Sequence, residues 1–339
     1  MLRELALLLI VTVTGACPRV RRTHYLLPTT SNGFGNQYYA IEKAAWLALA
    51  TNRTLILPPV LDHAGPRAFA AWPGCGEAKR IGADAVLRAY RRVAAAGASR
   101  GWRDVLDFSE VEAAGVRVID FAEWDPGAVS DLTGLCGGAA VGSLTAATAT
   151  VVVAGSPLRM ELEPLRRSLQ GSRCGWRLIS AAYAPPFVSL VADAAAAEAA
   201  TRRPFFAVQL RTGDKSTINT DARAAHLVTT LAPRLAHGLP IYVAYDLETS
   251  FDAFSSFLDV SCPKCGHTFS RRDLRYEGVV RALGRELADV VMDMAFAAHA
   301  TELYLTDDAP HAFRKRSTFG RLLKRYHMRH GAADVTHYV

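Results

Sequence analysis

Ser31-Asn32-Gly33-Phe34-Gly35-Asn36-Gln37, followed after a helical stretch by Asn52-Arg53-Thr54-Leu55-Ile56-Leu57-Pro58-Pro59, decides how this chain is read. Two glycines and an amide stand between an apolar strand candidate, His24 to Leu27, and the start of a helix. Tyr38, Ile41, Ala44, Ala45, Leu47 and Ala48 recur at three-to-four spacing, and Leu55 to Leu57 reads as the next strand. The unit is strand, glycine loop, helix, strand, ended by the Pro58-Pro59 pair. At such a junction the first N–H groups of the helix lack an intrahelical acceptor and face an incoming anion. A dinucleotide fingerprint further requires a third glycine and an acidic residue closing the second strand. Here Tyr38 and Pro58-Pro59 hold those places, so a nicotinamide role fits poorly. On these residues alone a helix-capping turn that binds nothing stays open.

Working outward, 339 residues suggest about two domains, and half of them are hydrophobic, enough for substantial cores. A net charge of +7 suits an anionic ligand, but no basic motif is interleaved with aromatics, which argues against nucleic acid. Met1-Leu2-Arg3-Glu4, the apolar run Leu5 to Val13 and Thr14-Gly15-Ala16 predict a signal peptide over residues 1–16. A short signal anchor is the alternative; no later segment is apolar enough to span a membrane. The Ala194 to Ala200 run, interrupted by Glu198, reads as a partly exposed helix.

The six cysteines, Cys17, Cys75, Cys136, Cys174, Cys262 and Cys265, could pair fully in an oxidising compartment. Cys262-Pro263-Lys264-Cys265-Gly266-His267 looks like half a zinc site, but no second ligand pair lies nearby. A local disulfide or pairing with another loop is expected there. Asn52-Arg53-Thr54 is a glycosylation sequon if the chain is secreted.

The second half repeats the pattern. Phe205 to Leu210 is a buried strand, followed by Arg211-Thr212-Gly213-Asp214-Lys215. A helix from about Asp221 to His237 leads to strand Ile241 to Ala244, ending in Tyr245-Asp246. A further helix, roughly Leu283 to Ala300, precedes strand Glu302 to Thr306. Alternating strands and helices imply parallel sheets whose ligands bind at the carboxyl ends of the strands, where Arg211 and Asp246 fall. Near the C-terminus, Arg314-Lys315-Arg316-Ser317-Thr318-Phe319-Gly320 opens a last helix that Ser317 or Thr318 can cap.

In order, these segments resemble the protein O-fucosyltransferase family, which uses GDP-fucose. The resemblance rests on Gly33-Phe34-Gly35-Asn36-Gln37 with Asn52 to Leu55 and Pro58-Pro59, then Gln209-Leu210-Arg211-Thr212-Gly213, Asp293 to Ala300, and Ser317-Thr318-Phe319-Gly320. Gln209 stands where that family commonly has histidine, and the stretch between Thr306 and Ser317 is longer than usual. The resemblance implies an α/β, GT-B-like fold, two Rossmann-like domains facing a central cleft. Residues 17–190 would lie on the acceptor side and 191–339 on the donor side.

It further implies inverting fucose transfer to a protein Ser or Thr hydroxyl, without a cofactor or obligatory metal, in the lumen of the endoplasmic reticulum or Golgi. Transfer to a glycan hydroxyl, a non-catalytic binding protein of the same fold and a zinc-binding module remain as alternatives. The implied donor-binding residues are Gly33, Phe34, Gly35, Asn36, Gln209, Leu210, Arg211, Asp293, Ser317, Thr318 and Phe319. Arg211 and Asn36 would be catalytic. The protein acceptor would be a small disulfide-rich domain. No general base is singled out; Asp214 and Asp246 qualify by location only. Leu61 to Ala200 carries no motif that matches.

Overall fold

The computed structural model describes residues 24–30, 33–61, 83–95, 101–124, 132–136, 150–155, 162–183, 204–210, 220–306, 318–329 and 336–338. The chain divides into two units, Met1–Val188 and Ser189–Val339, each carrying one five-stranded parallel sheet.

In the first unit β1 (Tyr25–Pro28) leads into α1 (Phe34–Thr51) and β2 (Thr54–Leu57). Then come α2 (Ala83–Ala95), a 3-10 turn at Trp102–Asp104, α3 (Ser109–Ala113), β3 (Val118–Asp120), β4 (Leu132–Cys136), β5 (Val151–Gly155), α4 (Glu163–Gln170) and α5 (Arg173–Tyr183). The strand order is β3-β2-β1-β5-β4. β1 and β2 are covered on both faces, which is why they read as unbroken apolar runs rather than alternating ones. α1 is buried nearly all round, and it ends where Asn52 takes the left-handed conformation (φ 51°), an amide residue's common place. Leu27, Ile56, Tyr90, Phe121 and Trp124 pack into one core on this sheet.

The second unit runs β6 (Phe206–Leu210), α6 (Thr220–Leu235), β7 (Ile241–Tyr245), α7 (Glu248–Ser261), β8 (Thr268–Phe269) and a 3-10 turn at Arg271–Asp273. It continues through α8 (Glu277–Leu283), α9 (Arg285–His299), β9 (Glu302–Leu305), α10 (Thr318–Arg329) and β10 (Thr336–Tyr338). Its order is β10-β9-β6-β7-β8, so the strand that enters first is central. Phe206, Val208, Ile241 and Val243 pack with Leu231 and Phe254 of α6 and α7. The other face meets α9, where Tyr242 stacks on Phe296 at 4.4 Å and 16°.

The helix expected from roughly Leu283 to Ala300 is α9, Arg285–His299; Gly284, at φ 82°, separates it from the short α8 before it. The expected helix to His237 ends at Leu235, where the His237 N–H already turns back to the Leu235 carbonyl at 2.8 Å. The Ala194 to Ala200 helix and the residue 1–16 segment lie outside the described residues. Among the described residues no helix is long and apolar enough to cross a membrane.

Candidate functional site

At the carboxyl edge of the first sheet, Gly33 precedes α1 with φ −64° and ψ 164°. Any residue adopts that conformation, so what glycine contributes is an uncovered backbone. The first turn-closing bonds run from the Asn36 and Gln37 N–H groups to the Gly33 carbonyl at 2.9 and 3.2 Å. The Phe34 and Gly35 N–H groups precede them and have no intrahelical acceptor. The first turn of α1 has neither a side-chain cap nor an acidic residue, so no side chain of that turn offsets its positive end.

Three side chains hold this edge in place. Phe34 is buried with its ring 5.2 Å from that of Trp102, leaving its backbone N–H as the group it can offer a ligand. Gln37 is wholly buried, donating to the Leu61 carbonyl at 2.7 Å and accepting from the Leu61 N–H at 2.9 Å. The Tyr90 hydroxyl accepts from the Thr30 N–H at 3.0 Å and donates to the Pro28 carbonyl at 3.1 Å, fixing the strand end before the loop. Burial pushes that phenol up to about 12, so it stays a hydrogen-bonded neutral post. Asn36, half-buried, is the polar side chain left at the helix start.

Asp120 closes β3 at the same edge. Burial pushes its carboxyl up to about 6, against the Arg103 guanidinium that holds it down. Arg103 reaches it at 3.6 Å but bonds more closely to Glu112 and the Val118 carbonyl, each at 2.7 Å. The other Asp120 oxygen is buried with no partner among the described residues. No local sequence pattern marks Asp120; the parallel register with β2 is what brings it to this edge.

In the second unit Gln209 and Leu210 end the central strand and Tyr245 ends β7 beside it, with Leu210 in register with Tyr245. Gln209 is 4% exposed, and its amide oxygen has no partner among the described residues. Alternation puts Gln209 on the face covered by α9. Asp293 on that helix is equally buried and accepts from the Tyr242 hydroxyl at 2.7 Å and from Arg271 at 2.7 Å. Burial pushes Asp293 up to about 6, with Arg271 and Tyr242 opposing the shift.

Arg271 was not expected from the sequence, since an Arg271-Arg272 pair after a two-residue strand carries no signal. The fold uses it fully. It donates to the Tyr245 carbonyl at 2.9 Å, stacks 4.0 Å over the Tyr245 ring and pairs with Asp289 at 3.4 Å. Asp293 is thus part of a packed network, whereas among the described residues Asp246 to Thr249, which follow β7, are exposed.

Thr318 opens α10 and Phe319 is half-buried in its first turn. Ser31, Asn32, Arg211 to Asp214 and Ser317 lie outside the described residues. Cys262 and Cys265 form the local disulfide, and Cys174 is also disulfide-bonded. Among the described residues no three His, Cys, Asp or Glu side chains are grouped to hold a metal ion.

No family model and no curated protein sequence matches the chain. Its fold is similar to that of a crystal structure of POFUT1 in complex with GDP-fucose, at TM-score 0.52 and 13% identity, covering 94% of this chain and 98% of that one. The apo form of POFUT1 aligns at TM-score 0.51 and 14% identity, covering 95% of this chain and 99% of that one. With the two parallel sheets, this likeness makes the fold α/β and GT-B-like, built from two Rossmann-like units.

Proposed function

We propose that this chain is an inverting glycosyltransferase that moves fucose from GDP-fucose to a Ser or Thr hydroxyl of a protein. The observation that carries the reading is the fold likeness to GDP-fucose-bound POFUT1 over nearly the whole of both chains. The motif residues support it: Gly33 to Asn36 follow β1 at the start of α1, and in sequence Arg211 is the residue after Leu210, the last of β6.

The chemistry suits those groups. As the bond from fucose C1 to the β-phosphate oxygen breaks, C1 gains oxocarbenium character and the departing GDP gains negative charge. The acceptor hydroxyl attacks C1 from the opposite face and gives up its proton to solvent water, inverting the anomeric centre. Backbone N–H groups fixed at a helix start and a guanidinium favour that charge more in the transition state than in the ground state. No metal or cofactor is needed for this sequence of events. The amide of Asn36 would orient the reacting sugar or the incoming hydroxyl. Residues 1–16 would direct the protein into the secretory lumen, where disulfides such as Cys262–Cys265 form.

Purified full-length protein is expected to bind and slowly hydrolyse GDP-fucose, with GDP-mannose turned over far less. Label from GDP-fucose should then pass to a folded, disulfide-rich domain bearing an accessible Ser or Thr. No binding of GDP-fucose would overturn the donor. Transfer to free glycans and not to the protein domain would overturn the acceptor while keeping the donor.

A further inference from the structure

Cys262 and Cys265 belong to no step of the proposed transfer, yet they carry chemistry of their own. The disulfide joins them across two residues, in the turn between α7 and the edge strand β8. Cys262 is 8% exposed, whereas Cys265 is half-buried and the intervening Pro263 and Lys264 are exposed. Cys265 is therefore the side from which a reagent in solution can approach. Cys174, also disulfide-bonded, is 5% exposed in the first unit.

The turn does not depend on the cross-link. The Cys262 N–H donates to the Leu258 carbonyl at 2.8 Å and the Cys265 N–H to the Cys262 carbonyl at 2.9 Å. Directly after it, the Ile241 N–H donates to the His267 carbonyl at 3.0 Å, and the Thr268 hydroxyl meets that of Ser255 at 2.9 Å. Gly266 packs against the connection from α6 to β7, where a Cβ would collide with the Leu239 carbonyl. A covalent bond across so short a loop removes little freedom from the unfolded chain, so the fold gains little by it.

Both sulfurs also lie beside one acceptor, the Ala232 carbonyl in the last turn of α6, at 3.7 and 3.8 Å. A carbonyl oxygen has two lone pairs, and a disulfide has no hydrogen to offer them. A dithiol has two. The fold thus already holds a hydrogen-bond partner for the reduced pair. Cys262 stands at the C-terminal end of α7, the end that disfavours a thiolate. The pair therefore lacks the arrangement of a disulfide-exchanging catalyst, whose cysteine sits at a helix N-terminus.

We infer that Cys262–Cys265 is a thiol–disulfide exchange site, opened in the folded protein by a dithiol from solution and closed again by a disulfide. One thiolate of the dithiol attacks Cys265 Sγ. The electron pair of the broken S–S bond leaves with Cys262 Sγ, which takes a proton from water. The second thiol then displaces Cys265 and closes the reagent into its own disulfide. The protein gains two electrons and two protons, the dithiol loses them, and an S–H can donate to Ala232. The inference stands apart from the donor reading.

The test treats the full-length protein with dithiothreitol without denaturant, traps thiols with iodoacetamide at intervals and maps them by peptide mass spectrometry. Cys262 and Cys265 should be labelled together and fully while Cys174 stays unlabelled. The reduced protein should keep its far-ultraviolet circular dichroism and melt within about 2–4 °C of the oxidised one, the shift that about 1 kcal/mol makes in a unit of this size. Oxidised glutathione, added once the dithiothreitol is removed, should close the pair again. A pair that resists until denaturant is added, that opens only together with Cys174, or that takes the dichroism signal with it on opening overturns the assignment.

Discussion

Gln37 grips Leu61 by both of its backbone groups, at 2.7 Å to the carbonyl and 2.9 Å from the N–H, across 24 positions of sequence. The contact ties the first turn of α1 to the segment leaving β2. A carboxamide donates from its nitrogen and accepts at its oxygen without carrying charge.

Gln37→Leu therefore strands a buried N–H and a buried carbonyl together. Each costs about 1–3 kcal/mol when unpaired, and some relaxation toward water is available, so the first unit should lose about 2–4 kcal/mol. Urea unfolding followed by tryptophan fluorescence reads this, since all five tryptophans belong to the first unit. An unchanged midpoint would mean that the clamp is decorative.

Tyr242, Asp293 and Arg271 form the corresponding fixture of the second unit. The Arg271–Asp293 pair is 13% and 6% exposed at its side chains, so removing one partner leaves a charge out of water. Arg271→Met should cost about 3 kcal/mol, and Arg271→Met combined with Asp293→Leu should recover a large part of that loss. The double variant distinguishes a buried charge left alone from a general packing defect, which it could only worsen.

These two fixtures also show where sequence reading stops. β1, α1, β2, β6, β7 and β9 were legible because central parallel strands are apolar along their whole length and are punctuated by glycine, proline or charge. The stretch from Leu61 to Ala200 was not. β3 has only three residues, β4 carries a glycine at its centre, and α3 is a single short turn, so none holds a period long enough to stand out. At the candidate site, the glycine loop and the strand-end positions were visible as motifs. Arg271, Asp120 and the role of Gln37 were not, because each depends on a partner brought near by the sheet rather than by the chain. Phe34 shows the converse: its position in the motif was plain, but only the contact with Trp102 reveals that its ring is occupied in the core.

Asp120 carries a pH signature of its own. An ordinary carboxyl titrates at 3.8, whereas in the folded chain burial raises this one to about 6. The folded state therefore holds a proton that the unfolded state has released. Its favourable contribution is full below about pH 3.8 and is lost as pH rises through about 6. At about 1.4 kcal/mol per pKa unit, and reduced for a carboxyl that retains some water, the loss amounts to about 1–2 kcal/mol. Asp120→Asn has no such proton to lose, so between pH 4 and pH 7 it should gain about that much stability relative to the unmodified chain. Parallel stability curves for the two proteins would rule out a buried, protonated Asp120.

Arg211 carries the sharpest functional prediction, since the proposed transfer needs a cation where the β-phosphate accumulates charge. In sequence Arg211 follows Leu210, the last residue of the central strand, and in a Rossmann-like unit the loop after that strand is where phosphate binds. Removing one such donor commonly raises a barrier by on the order of 2.7–4 kcal/mol, so Arg211→Ala should lower GDP-fucose turnover by roughly 10²–10³-fold. Because the charge grows in the transition state, turnover should fall more than GDP affinity does. Arg211→Lys keeps the charge but loses the bidentate fork and should fall between the two. Steady-state rates with GDP-fucose, set beside GDP binding for the same three proteins, decide it. Near-normal turnover by Arg211→Ala would remove the guanidinium from the mechanism and, with it, the assignment of the β6 exit as the phosphate site.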